Sequence, residues 1–135
     1  MASVIHADLE LWLTGYIRRE LALRPEAYAA GVFVSDEFPS PAKPRTVVVR
    51  YDGGPDTSVV TAEAAVGVTI LAANKQEAAN LSRLVAAIIR DCARVEPGNP
   101  VAAVLGVNGP YKAPEESTQS RRYLTATLSV VGQPL

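Results

Sequence analysis

The chain has 135 residues, of which 48% are hydrophobic and 20% are charged, and its formal net charge is -1. This length suits one domain with its own core, and the composition is typical of a folded chain rather than a disordered one. The near-neutral charge predicts no strong attraction to nucleic acid or to an anionic membrane but leaves a local basic patch open. The single cysteine excludes an internal disulfide, and no apolar run approaches the roughly 20 residues that cross a bilayer.

The first third of the chain alternates between helical and extended patterns. Apolar residues at three- and four-residue spacing predict an amphipathic helix from about Ala7 to Leu23, which Pro25 ends. A short strand is predicted from Gly31 to Val34. The proline-rich segment from Asp36 to Arg45 is predicted to be an extended surface loop, because proline cannot donate to a strand ladder. The β-branched run from Thr46 to Tyr51 predicts a strand.

A long strand and a capped helix follow. Strict alternation predicts the strand from about Ser58 to Ala72. Asn74 is predicted to cap the second helix, with Glu77 reaching back to the free backbone donor in a capping box. The helix is expected to end before the breaker cluster that starts at Glu96.

Two strands complete the pattern. The first is predicted from Pro100 to Val107 and stops at a turn of sequence Asn-Gly-Pro. A polar loop from Tyr111 to Arg122 leads to the last strand, from Arg121 to Val131. The order is therefore α-β-β-β-α-β-β in a single domain of residues 1–135. Hairpins on either side of one crossing helix predict an α+β fold, with a mainly antiparallel sheet and both helices packed on one face.

The residues that carry catalysis in most enzymes are scarce. His6 is the only histidine and stands in no nucleophile motif, and Cys92 lies on the apolar stripe of the second helix. Asp52, Asp56 and Glu63 are interpreted as solvated carboxylates near a turn rather than as a cation site. The sequence therefore predicts no catalytic site, no cofactor, no metal and no enzymatic activity.

Two long loops and the polar face of the sheet are the candidate interaction surfaces. The polar face is predicted to carry a row of hydroxyl side chains, Thr125, Thr127, Ser129 and Thr69. Long loops in a small domain often bear function, although flexible loops and a wet sheet face are the alternatives. The Arg121-Arg122 pair is either a solvated strand end or a contact for an acidic partner or nucleic acid. The candidate interface residues are Asp36, Glu37, Phe38, Lys43, Arg45, Tyr111, Lys112, Glu115, Glu116, Arg121, Arg122, Tyr123, Thr125 and Thr127.

The sequence resembles the tail terminator (tail completion) proteins of long-tailed bacteriophages. The segments that carry the resemblance are VGVTILAANKQEAANLSRLVAAII, VLGVNGPYK and RRYLTATLSVVG, together with an amphipathic first helix followed by VVVRYDGGP. The resemblance covers most of the chain. No catalytic signature belongs to it.

The resemblance implies a structural virion protein made in the host cytoplasm. Such proteins form a homohexameric ring at the head-proximal end of the tail, stop polymerisation of the tail tube and provide the head-tail joining surface. The implied partners are further copies of the chain, the major tail tube protein and the head-tail connector, and DNA passes through the lumen without being read. The alternatives are another neck or head-tail connector subunit, or a small ligand-binding α+β domain.

Overall fold

The computed structural model describes residues 3–113 and 119–135. Two α-helices and a short 3₁₀ turn accompany seven strands. The helices are α1 (Leu9–Ala22) and α2 (Lys75–Arg90), and the 3₁₀ turn is Ala27–Ala29. The strands are β1 (Val4–Ile5), β2 (Phe33–Ser35), β3 (Thr46–Gly53), β4 (Thr61–Ala72), β5 (Val101–Lys112), β6 (Ser120–Val131) and β7 (Gln133–Pro134). Neither helix in this part of the chain is both long and apolar enough to cross a bilayer.

Five strands form one sheet in the order β2-β3-β4-β6-β5. Every neighbouring pair is antiparallel except β2 and β3, which are parallel. The predicted α+β fold is confirmed, and so is the predicted order of its main elements. Two further strands, β1 and β7, pair as a separate antiparallel ribbon that brings the two ends of the described chain together. Strands of two residues leave no periodicity in a sequence, so the ribbon was not predicted.

A single hydrophobic core lies between the helices and one face of the sheet. Alternate residues of β4 and β6 point into it, and the stripes of both helices meet them. Burial of each large aliphatic side chain contributes about 1.5–3 kcal/mol. Fully buried members of this core include Leu13, Ile17, Val49, Val68, Ile70, Leu81, Val85, Ile89, Leu124 and Leu128.

Both helices begin at side-chain caps. The Asp8 carboxylate accepts from the Leu11 amide, so α1 starts two residues later than predicted. The Asn74 side chain accepts from the Glu77 amide at 2.9 Å, which confirms the predicted cap of α2. The Glu77 carboxylate, predicted to close a capping box, instead accepts from Arg45 Nε at 2.5 Å. A charged donor makes the stronger bond, so a residue from the preceding loop takes the place of the backbone amide.

The edge strand β5 is longer than its sequence predicts. It was expected to stop at a turn of residues 108–110, yet it pairs with β6 as far as Lys112. Three register irregularities interrupt the pairing, and one of them lies between Asn108 and Tyr111. The glycine and proline therefore form a bulge rather than a turn. The predicted loop from Tyr111 to Arg122 is wrong at both ends, because Tyr111 and Lys112 belong to β5 and the two arginines belong to β6.

The start of β4 is also later than predicted. The amides of Thr57 and Ser58 both donate to the Thr61 carbonyl, and this closes a turn before the strand. The Ser58 hydroxyl accepts from the Thr61 amide as well. Local side-chain bonds of this kind compete with a strand ladder, so the alternating pattern that begins at Ser58 becomes a strand only at Thr61.

Replacement of Asn74 by alanine tests the cap of α2. We expect Asn74→Ala to lower the free energy of unfolding by about 1 kcal/mol, because the Glu77 amide loses its acceptor. This corresponds to a fall in Tm of about 3–5 °C, measurable by circular dichroism. Arg90→Ala, at an exposed position of the same helix where no side-chain bond is formed among the described residues, is the control and should leave Tm almost unchanged. Equal losses in the two variants would contradict the assignment.

Candidate functional site

The face of the sheet opposite the helices, called here the outer face, is defined by the pairing register. In β6 the buried residues alternate with Tyr123, Thr125, Thr127 and Ser129, which therefore point away from the helices. Their partners on β4 are Thr69, Gly67, Ala65 and Glu63. The predicted row of hydroxyl side chains thus lies on this face.

An aromatic and ionic cluster occupies the middle of the outer face. Arg50 Nη2 donates to the Tyr123 hydroxyl at 2.8 Å, and Arg50 Nε donates to the Asp52 carboxylate at 2.6 Å. The Tyr111 ring stands 6.2 Å from the Tyr123 ring. A Cβ on Gly67 would lie 2.4 Å from the Tyr123 hydroxyl oxygen, so glycine is what lets Tyr123 lie flat on β4. A glycine inside a strand and an outward-pointing arginine are the sequence signals for this cluster, and neither residue was among the predicted interface residues.

A flatter region follows towards the end of β6. Thr125 and Thr127 are half-buried, and their strand partners on β4 and β5 include Gly67 and Gly106. Within the described residues, no side-chain hydrogen bond engages either threonine hydroxyl and neither helix packs on this face. The two hydroxyls are therefore free to bond a partner that lies against the sheet.

The proline-rich loop, residues 36–45, reaches the part of the outer face where β6 begins. The Arg121 guanidinium lies 5.6 Å from the centre of the Phe38 ring, and Gln119 Nε2 donates to the Lys43 carbonyl at 2.7 Å. Val48 and Thr69 are buried although the register places them on the outer face. We attribute their burial to this loop and to the neighbouring Tyr123 ring. The structure thus brings together two segments that were separate candidates in the sequence.

The remaining predicted interface residues lie in several separate places. Arg45 joins Glu77 and also donates to the Ala30 carbonyl at 2.6 Å, so it ties the loop to α2. Asp36 lines a shallow concavity beside α1 with Asp8 and Glu10.

Glu37 follows Asp36 in the exposed part of the loop. Lys112 and Arg122 are cross-strand partners at one end of the sheet. Glu115 and Glu116 lie outside the described residues.

The groups weighed for catalysis do not converge in the described residues. No group of three or more potential ligands could hold a metal ion there. Cys92 is fully buried, and burial raises the pKa of its thiol to about 11, which suppresses the reactive thiolate. His6 borders two concavities near the chain ends, of about 70 and 360 Å³, whose linings are largely apolar. Asp56 also lines the smaller one.

Two buried groups set an alkaline limit to stability. Burial is the main cause that raises the pKa of Cys92 from 9.0 to about 11 and that of Tyr16 from 10.0 to about 12. Folding therefore favours the protonated form of both. Their stabilisation is complete below the unfolded-state pKa and is lost as pH rises through the folded-state pKa.

We expect the free energy of unfolding to fall as pH rises from about 9 to 12, by on the order of 2 kcal/mol for each group. Urea unfolding followed through Trp12 fluorescence measures this. Tyr16→Phe also loses the bond to the Asp91 carbonyl, so it starts less stable, but its decline above pH 10 should be shallower. A free energy that stays constant from pH 8 to pH 11 would contradict the burial of both groups.

The chain matches no model of a known protein family and shows no significant similarity to any curated protein.

Proposed function

We propose that this chain is a structural virion subunit, a tail terminator whose copies form a ring at the head-proximal end of a phage tail tube. The observation that carries the proposal is the outer face. It is a sheet surface with small hydroxyl side chains at Thr125 and Thr127, and neither helix packs on it. Such a surface is suited to contact with a flat protein partner, because its hydroxyls donate and accept without long flexible side chains.

The sequence resemblance to tail terminator proteins indicates the type of protein, and the α+β fold is the fold class that the resemblance implies. The ring would sit on the last ring of tube protein, stop further growth and present a surface to the connector. DNA would pass through the lumen without contacts to base edges. The virion tail is the corresponding location, and the role requires no enzymatic step.

A connector or other neck subunit is the nearest alternative, since it needs the same kind of surface. Gene order separates the two: a position directly upstream of the major tail protein gene favours the terminator. A ligand-binding domain has less support. The larger concavity near the chain ends has about 360 Å³, but His6 is the only titratable side chain in its lining.

Assembly with the tube protein tests the proposal. The purified chain, added to polymerising tail-tube protein encoded in the same genome, should shorten the tubes and appear at one end of each by electron microscopy. Thr125→Glu/Thr127→Glu should lose this capping by at least about tenfold in the concentration required, because it buries two carboxylates at the contact.

Gln76→Glu/Ala87→Glu is the matched control, because it adds the same charge on the exposed surface of α2. It should cap as the unaltered chain does. Tubes of unchanged length with the unaltered chain present would refute the proposed function.

A further inference from the structure

Positive charge without an ion-pair partner collects at one end of the sheet, called here the basic end. This is the end at which β3 and β6 begin and β4 and β5 stop. Arg45 also lies there, but it is paired with Glu77. Within the described residues, the cations at this end that form no ion pair are Lys43, Lys75, Lys112, Arg121 and Arg122.

The opposite end of the sheet, called here the acidic end, carries carboxylates that likewise form no ion pair with the described residues. Asp56 and Glu63 stand at the start of β4, and neither has a cationic partner in the described part of the chain. Asp8 and Glu10 lie beside them at the start of α1, where they accept only from backbone amides, the Glu10 carboxylate from that of Tyr51. Arg50 points towards this region, but Asp52 already engages it.

The two ends are too far apart to neutralise each other within one chain. Arg122 at the basic end and Ser129, the partner of Glu63 at the acidic end, are seven residues apart on β6. Seven residues of strand span about 23 Å. This exceeds twice the Debye length of about 8 Å at physiological ionic strength. Each end therefore presents its own field to the surroundings.

We propose that the basic end of one copy of this chain binds the acidic end of the next copy, and that this contact closes the ring. The inference rests on the proposed function. A ring built from identical subunits needs two different surfaces on each subunit that complement one another. The chain carries such a pair, equal in kind and opposite in sign, and its net charge of -1 shows that neither sign dominates the whole.

The edges of the sheet favour a side-chain contact over strand addition. β2 offers only three residues at one edge. At the other edge, β5 has three register irregularities against β6, so its free side cannot present a regular row of donors and acceptors. Copies joined through backbone pairing alone would form short or interrupted rows of hydrogen bonds between strands. A contact between the charged ends needs no such row.

DNA in the lumen is the competing occupant of the basic end. A nucleic-acid site needs basic residues and no complement elsewhere on the protein. Here the complement exists on the same chain, in Asp56, Glu63 and their neighbours. The paired segregation of both signs therefore favours a second copy.

Charge-reversal variants test the inference. Lys112→Glu/Arg122→Glu leaves three cations beside two new carboxylates at the basic end. Asp56→Lys/Glu63→Lys leaves Asp8 and Glu10 beside two new cations at the acidic end, so each variant removes most of the charge from one end. Sedimentation velocity at low salt should show the unaltered chain as rings and each variant alone as monomers, with association weakened at least about tenfold. An equimolar mixture of the two variants should restore rings when the subunits alternate. The introduced glutamates of one variant then face the introduced lysines of the other, and the next contact around the ring joins two native ends. Arg83→Glu/Arg90→Glu makes the same change of net charge as Lys112→Glu/Arg122→Glu, but on α2. It is the control and should still form rings.

Salt gives a second measurement that needs no substitution. Rings of the unaltered chain should dissociate as sodium chloride is raised from about 0.05 M to 0.5 M, because the Debye length falls to about 4 Å. Rings that persist in high salt and in both reversal variants would overturn the inference and leave the proposed function standing. Failure of the unaltered chain to form rings even with tube protein would overturn the proposed function itself.

DNA binding is measured in parallel by fluorescence anisotropy with a short labelled duplex. Binding that Lys112→Glu/Arg122→Glu abolishes, while rings of that variant persist, would assign the basic end to DNA and overturn the inference. Circular dichroism of each variant verifies that it is folded. No binding of the duplex by the unaltered chain, together with restored rings in the mixture, would support the inference.

Discussion

The unbroken pairing of β4 with β6 is the constraint on which the rest of the structure depends. The two strands match residue for residue over twelve positions, from Thr61 with Val131 to Ala72 with Ser120. Because side chains alternate along a strand, a slip of one residue would turn every core residue of one strand outwards. This register places Val68 and Leu124 under the helices, and it places Gly67 and Thr125 on the outer face. The face that stabilises the fold and the face proposed to contact a partner are thus set by the same hydrogen bonds.

The parts of the fold that the sequence predicted are those with strong local signals. The alternation of β4, the stripe of α2 and the Asn74 cap each depend on residues within a few positions of one another, so they can be recognised without a structure. Two regions that were predicted wrongly depend on distant partners. Glu77 bonds Arg45 from another segment, and β5 continues past a glycine and proline because β6 lies beside it.

The candidate interface shows the same division. Thr125 and Thr127 follow from periodicity alone, and they lie where the pattern placed them. The contact of Phe38 with Arg121 joins residues more than eighty positions apart, so only the folded chain brings the two loops together. The Arg50 and Tyr123 cluster is of this kind too, and Gly67 and the outward-pointing Arg50 were its local signals.

The ion pairs of this chain separate two uses of charge. Arg94, in the segment after α2, bonds Glu20 of α1 at 2.7 Å, and Arg45 bonds Glu77 where the loop meets α2, so these pairs fix the packing of one segment on another. At the basic end Arg121 lies over the Phe38 ring, but Lys43, Lys75, Lys112 and Arg122 have no such role in the described part of the chain. Like charges at one end repel and lower the stability of the isolated chain. The same cations would attract the carboxylates at the acidic end of a second copy. Charges that oppose folding in one chain can therefore favour the proposed assembly. The length of the sheet prevents the two charged ends from neutralising each other within one chain.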